Sequence, residues 1–179
     1  MKSAVEQLAT YKSVHLNPTN IKTHFVGIPL IIWAAFVMLN TIPVNFLVLE
    51  DSGLVFNVAG LFAAGVLIYY FKLHAKLAIG LLLFILPVLY SSYLVSRLDE
   101  VWMIAIGVFV VGWVFQLIGH KYEKAKPAFI DDLNQLLIGP FFLMAEVYFM
   151  LGLESELDKE ITPLAIEKRR SLTKLNSAN

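Results

Sequence analysis

The chain of 179 residues contains no cysteine, and only 16% of its residues are charged. Without thiols there is no disulfide framework, no iron–sulfur cluster and no thiolate-bound zinc. Any metal must therefore sit on imidazole, carboxylate, amide or water. An excess of either charge is also missing, because 14 basic residues balance 14 acidic ones. A chain without a basic surplus or a basic face is not expected to bind nucleic acid. Apolar surface is what the sequence has in quantity. Hydrophobic residues make up 58% of the chain and the mean hydropathy is +0.71, whereas a soluble domain is about 45–50% apolar.

The apolar residues lie in long runs. Val26–Leu49, Leu54–Phe71, Leu77–Ser96 and Val101–Gly119 hold no charged residue. A hydrocarbon core of about 30 Å takes roughly 20 helical residues, since backbone polar groups in lipid must pair internally. The sequence therefore predicts an all-α integral membrane protein, a bundle of four transmembrane helices with short loops and antiparallel neighbours. Pro29, Pro43 and Pro87 are expected to kink or bound these helices. The polar Asn40–Asn45 stretch is expected to end the first helix early.

A fifth apolar region, Leu136–Leu153, is interrupted by Gly139-Pro140 and split by Glu146 into uncharged pieces of 10 and 7 residues. Charge decides its topology. With four spans, 13 of the 14 basic residues fall on one face and only Arg97 on the other; a fifth crossing would divide them 8 against 6. The positive-inside rule favours the first arrangement, with both termini cytoplasmic. Leu136–Leu153 is then a re-entrant or interfacial helical pair, with Glu146 as a buried hydrogen-bond partner. The expected organisation is a cytoplasmic N-terminal segment (residues 1–25), a helical membrane domain (26–153) and a polar cytoplasmic tail (154–179) frayed from Lys168 onward. Nothing before residue 26 reads as a cleavable signal peptide.

In this topology all four histidines, His15, His24, His74 and His120, lie at the cytoplasmic ends of the bundle. Asn17-Pro18 is a helix start, with Asn as cap and Pro at the first helical position. His15 precedes the cap and His24 follows it by two turns, so a fold-back at the turn can bring the two rings together. Gln116, His120 and Glu123 are spaced by four and three residues and share one face of the fourth span. His15, His24 and His120 with Glu123 make a candidate metal site, suited to non-haem Fe(II) and also to Zn or Mn. His74, in the basic turn Lys72-Leu73-His74-Ala75-Lys76, reads as an ordinary loop histidine. Asp131 and Asp132 are candidates to orient a ligand imidazole or are solvated loop charges.

At both clusters the chain resembles the Mpo1-like family of small membrane proteins. The matching residues are His15-Leu16-Asn17-Pro18-Thr19-Asn20, His24 and Gly27-Ile28-Pro29, then Trp113, Gln116, Gly119-His120, Glu123, Pro127-Ala128 and Ile130-Asp131. The likeness continues through Gly139-Pro140-Phe141-Phe142 and Glu146. It implies an Fe(II)-dependent dioxygenase that takes a 2-hydroxy fatty acid and O2, releases CO2 and leaves a fatty acid one carbon shorter. His15, His24 and His120 would be the iron ligands, and Glu123 a fourth ligand or a nearby base. Gln116, Asn17 and Asp131 would orient ligands or the substrate head. Lys121, Lys124 and Lys126 would attract the fatty carboxylate and anionic lipid headgroups. The acyl tail would run near Trp33, Phe109 and Trp113. The expected location is a bacterial inner membrane, or the endoplasmic reticulum in a eukaryote. Two other functions fit the residues: an electron carrier holding haem b on two histidines, and a non-catalytic transporter using Glu146 and Gly139-Pro140.

Overall fold

The computed structural model describes residues 2–49, 54–127, 130 and 132–177. These residues form seven helices and one two-stranded antiparallel sheet. The order is α1 (Ala4–Lys12), α2 (Pro18–Asn40), β1 (Asn45–Leu49), β2 (Leu54–Asn57), α3 (Val58–Leu73), α4 (Ala75–Val95), α5 (Val101–Glu123), α6 (Gln135–Met150) and α7 (Ser155–Ser177). The chain divides into two compact units, residues 1–25 with 115–179, and residues 26–114.

Three helices, α2, α4 and α5, are long and apolar enough to cross a membrane. The two other apolar helices, α3 and α6, have 16 residues each, about 24 Å of helix at 1.5 Å per residue. The four uncharged runs therefore give three helices of spanning length. The second run divides because Leu54–Asn57 pairs with Asn45–Leu49 as a strand, in the register Leu47↔Phe56 and Val48↔Val55. Asn57 then caps α3, its Oδ1 accepting from the Gly60 N–H at 3.2 Å. Its Nδ2 donates to Asn40 Oδ1 at 2.7 Å, and Asn40 Nδ2 donates to Ser92 Oγ at 3.1 Å. This polar knot ends α2 at Asn40, as the polar stretch there predicts.

Pro29, Pro87 and Pro140 lie inside α2, α4 and α6. Neither end of α6 falls at Gly139-Pro140, so the fifth apolar region is one helix rather than a pair. Pro140 falls in the second turn of α6, where it removes a single backbone bond. Asp132 opens that helix. Its Oδ1 accepts from the Asn134 N–H at 3.0 Å and its Oδ2 from Gln135 Nε2 at 3.2 Å, so it is neither a solvated loop charge nor a partner of an imidazole.

In the unit containing both termini, α1 packs against α6 and α7. Ser3 caps its start, with Oγ accepting from the Glu6 N–H at 3.1 Å. Leu8, Tyr11, Ile138, Phe141, Phe142 and Ile161 are buried in this unit. Glu146 is held by Lys12, Nζ to Oε1 at 2.8 Å, and Lys12 also reaches Asp158 Oδ1 at 3.2 Å. The expected buried partner of Glu146 is thus a lysine from α1. The C-terminal segment is helical through Ser177 rather than frayed from Lys168.

Candidate metal centre

The short α1 ends at Lys12, and the chain turns through Val14 N–H to Tyr11 O and His15 N–H to Lys12 O. The turn leaves carbonyls at the helix end without intrahelical partners. His15 uses one of them: its Nδ1 lies 2.7 Å from Tyr11 O. The ring also stacks on the Tyr11 ring, with centroids 4.0 Å apart and planes 1° from parallel. Asn17 then caps α2, Oδ1 accepting from the Thr19 N–H at 2.9 Å, as its place before Pro18 predicts. One turn further on, the Asn20 carbonyl takes His24 Nδ1 at 2.9 Å.

A ring nitrogen against a carbonyl oxygen must carry the proton, because a carbonyl only accepts. Both histidines are thereby fixed as the tautomer with a bare Nε2. These two bare atoms face each other at 3.1 Å, in a buried position. No proton is left to bridge them, and burial opposes adding one. Burial, and next the neighbouring His24, hold the His15 pKa well below the ordinary 6.5. Two lone pairs aimed at one point call for a cation. Two nitrogens about 2.1 Å from one ion at 90–109° lie about 3.0–3.4 Å apart, and the observed separation falls within that range.

The third imidazole comes from the last turn of α5. The ring centroids of His15, His24 and His120 are 4.6, 4.9 and 5.0 Å apart, and one nitrogen of each lies within 4.8 Å of the others. His120 is buried, and its Nδ1 has no hydrogen-bond partner among the described residues. Gly119 makes the approach possible. A Cβ there would strike Thr23 Oγ1 and Asn20 Oδ1 and come within 3.2 Å of His24 Nδ1. The three rings therefore fit a metal ion with open coordination positions. They do not fit haem, since such centroid separations leave no slot for a porphyrin between any two of them.

The remaining expected site residues divide into three groups. Gln116 and Glu123 are buried on the face of α5 that carries His120. Gln116 Nε2 has no partner among the described residues, which leaves a donor free for a bound molecule. One oxygen of the Glu123 carboxylate is engaged at the start of α2: Oε2 accepts from the Asn17 N–H at 2.8 Å and from Asn20 Nδ2 at 3.1 Å. A carboxylate suits this place, because the N-terminal end of a helix carries partial positive charge. The Asn17 amide is also engaged, Nδ2 donating to Tyr122 O at 3.2 Å. Lys121, Lys124 and Lys126 are exposed. Lys124 and Lys126 line a hollow of about 230 Å³ together with Val14, Arg169 and Leu172. Asp131 lies outside the described residues. His74 caps α4, its ring accepting from the Leu77 N–H at 3.5 Å, and takes no part in the three-histidine group. Trp33 Nε1 donates to Ser91 Oγ at 3.0 Å, and Phe109 meets the Trp113 ring edge-on.

Residues 1–151 match the family described as 2-hydroxy-palmitic acid dioxygenase Mpo1-like. The chain belongs to the Mpo1-like family. It is 35% identical over 149 residues to the 2-hydroxy-palmitic acid dioxygenase MPO1 of Saccharomyces cerevisiae (strain ATCC 204508 / S288c), an alignment covering 82% of this chain and 80% of the yeast protein. No solved structure matches the chain. The Mpo1-like match takes in all three histidines, Glu123 and Gln116, and ends before α7 begins.

Sequence reasoning gave no role to four residues at this Mpo1-like site, although Asn20 and Gly119 stand among those that carry the family resemblance. Tyr11 and Asn20 each stand four residues before a histidine, and that spacing is the signal by which one turn of helix could have marked them. Gly119 adjoins His120, yet only the packing explains it. Arg169 lies far along the chain and carries no local signal.

Proposed function

We propose that the protein is an iron(II)-dependent dioxygenase of 2-hydroxy fatty acids. The hydroxy acid and O2 would give CO2, one water and a fatty acid one carbon shorter. This balances without a reductant: the C1–C2 bond breaks, C2 rises to the carboxyl level, and O2 accepts the four electrons. His15, His24 and His120 would hold the iron, which when bound supplies redox contact with O2 and a Lewis-acidic anchor for a hydroxy acid.

The chain's own groups would do the rest. The carbonyls of Tyr11 and Asn20 keep His15 and His24 in the metal-binding tautomer. Gln116 offers its free Nε2–H to the polar head of the substrate. Glu123 and Asn17 join the end of α5 to the start of α2, so the two ligand-bearing segments keep their distance. Lys121, Lys124 and Lys126 draw the fatty carboxylate and anionic headgroups to this end of the protein. Residues 1–25 and 154–179 would be cytoplasmic, and 26–153 the membrane domain, with α3 crossing beside the three longer helices. The membrane would be a bacterial inner membrane, or the endoplasmic reticulum in a eukaryotic host.

The observation that carries this reading is the 3.1 Å contact between two Nε2 atoms that both lack a proton. Metal analysis of the purified protein after anaerobic loading with Fe(II) tests it, followed by mass spectrometry of products from 2-hydroxypalmitic acid and O2. One iron per chain and a C15 acid are expected. Iron-free protein, or an intact hydroxy acid after loading, would refute the reading.

A further inference from the structure

The helix α7 begins after the family match ends at residue 151, yet it reaches the histidine site. Its buried positions are Leu157, Ile161 and Ala165, spaced four apart, so they form one stripe along the helix. The next position on that stripe is Arg169. This residue continues the docking face, and it carries a guanidinium where the earlier positions carry aliphatic groups.

Arg169 Nη2 donates to the Glu123 carbonyl at 2.8 Å and lies 3.5 Å from Glu123 Oε1. Arg169 Nη1 donates to the Ser13 carbonyl at 3.4 Å. Glu123 is the last residue of α5, and Ser13 caps the C-terminal end of α1. Both carbonyls belong to helix ends, where partial negative charge gathers and intrahelical partners run out. Ser13 is two residues before His15, and Glu123 is three after His120. One planar fork therefore ties the segment leading into one ring to the segment leading out of another.

We propose that Arg169 is a positioning residue of the metal centre, holding the ends of α1 and α5 in the spacing that lets His15 and His120 meet one ion. The proposal rests on the metal-site reading above. It makes α7 part of the functional unit although the helix lies outside the family-matched residues. The geometry calls for arginine: only a rigid fork with several donors can serve two carbonyls and a carboxylate together, whereas a lysine ammonium reaches one or two of them as a point charge.

The test is anaerobic titration of the full-length protein with Co(II), read by its visible d–d absorption, alongside far-UV circular dichroism of the metal-free forms. Loss of outer contacts to metal ligands typically costs about 10–100-fold in affinity, and Arg169→Ala is expected to weaken Co(II) binding within that range and to alter the band pattern. Arg169→Lys, which keeps the charge without the fork, should recover part of the affinity with wild-type helix content. Arg170→Ala, at the exposed neighbouring position, should bind as wild type does. Wild-type protein that binds no Co(II) would overturn the metal-site reading itself. Wild-type binding with an unchanged affinity and spectrum in Arg169→Ala would overturn only the role of Arg169. Should Arg169→Ala lose its helix signal, Arg169→Lys decides: wild-type affinity and spectrum in that folded variant overturn the role, and weakened binding supports it.

Discussion

Lys12 Nζ lies 2.8 Å from Glu146 Oε1, and both side chains are largely shielded, at 12% and 14% exposure. The pair joins α1, whose end positions His15, to the apolar helix α6. Removing one partner of a buried pair costs about 3–5 kcal/mol, because the other is left desolvated, while replacing both by apolar groups is often neutral. Lys12→Met is expected to lower stability by about 3 kcal/mol, because Glu146 then loses the lysine that holds it, whereas Glu146→Met alone leaves Lys12 its bond to Asp158. Lys12→Met with Glu146→Met should recover most of that loss. Thermal unfolding in detergent, followed by circular dichroism, reads both; a double variant as unstable as Lys12→Met alone would show that the charges themselves are needed.

Each of His15→Ala, His24→Ala and His120→Ala removes one of three converging imidazoles. Iron retained after gel filtration should fall at least tenfold in each variant, an order expected from ligand loss, while helix content stays at the wild-type level. His74→Ala removes a helix cap outside the three-histidine group and should retain iron as wild type does. Elemental analysis checks the set. Normal iron in any of the first three variants would break the proposed ligand set.

Gly119→Ala introduces a methyl group against Thr23 Oγ1 and Asn20 Oδ1. Forcing a group into a packed contact costs about 1–3 kcal/mol. The variant should melt earlier, and its iron content should drop because α2 and α5 can no longer approach as closely. Gly65→Ala is the matched control, since a Cβ there meets nothing within 4 Å. Alanine favours a helix over glycine by up to about 1 kcal/mol, so Gly65→Ala should be neutral or slightly stabilised; equal losses in the two variants would show that the contact at Gly119 is not responsible.

The metal-free protein should lose stability in mild acid. His15 is held well below 6.5 in the folded state by burial and by His24, whereas an unfolded chain titrates it near 6.5. Below that pH the unfolded chain binds a proton that the folded one excludes, so stability falls with falling pH, by up to about 1.4 kcal/mol per unit. Above it both states are neutral and this group contributes no slope. Melting temperatures of the apo protein between about pH 5 and 8 should show the decline, and His15→Gln should reduce it. An equal slope in that variant would assign the effect to other groups.

How much could be read from the chain follows from the range of each interaction. Uncharged runs announce apolar helices because lipid solvation is a property of composition. The Asn17-Pro18 start and the shared face of Gln116, His120 and Glu123 were legible because capping and the helical repeat act within four residues. The strand pairing of Leu54–Asn57, and with it the late start of α3, was not, since it depends on a partner segment and on the Asn40–Asn57–Ser92 bonds. The continuous α6 was missed because Gly139-Pro140 reads as a break unless its place in the second turn is known.

The sequence by itself determined an apolar helical protein with no thiol chemistry and three histidines near helix ends, because these depend on residue type and short spacing. Only the tertiary structure decided that two Nε2 lone pairs share one point, that Glu123 serves the α2 start, and that Arg169 reaches both helix ends. Those relations join residues between 46 and 156 positions apart, or two rings that meet only because the chain folds back between them. Directional bonds of this kind exist only once the backbone has been brought together.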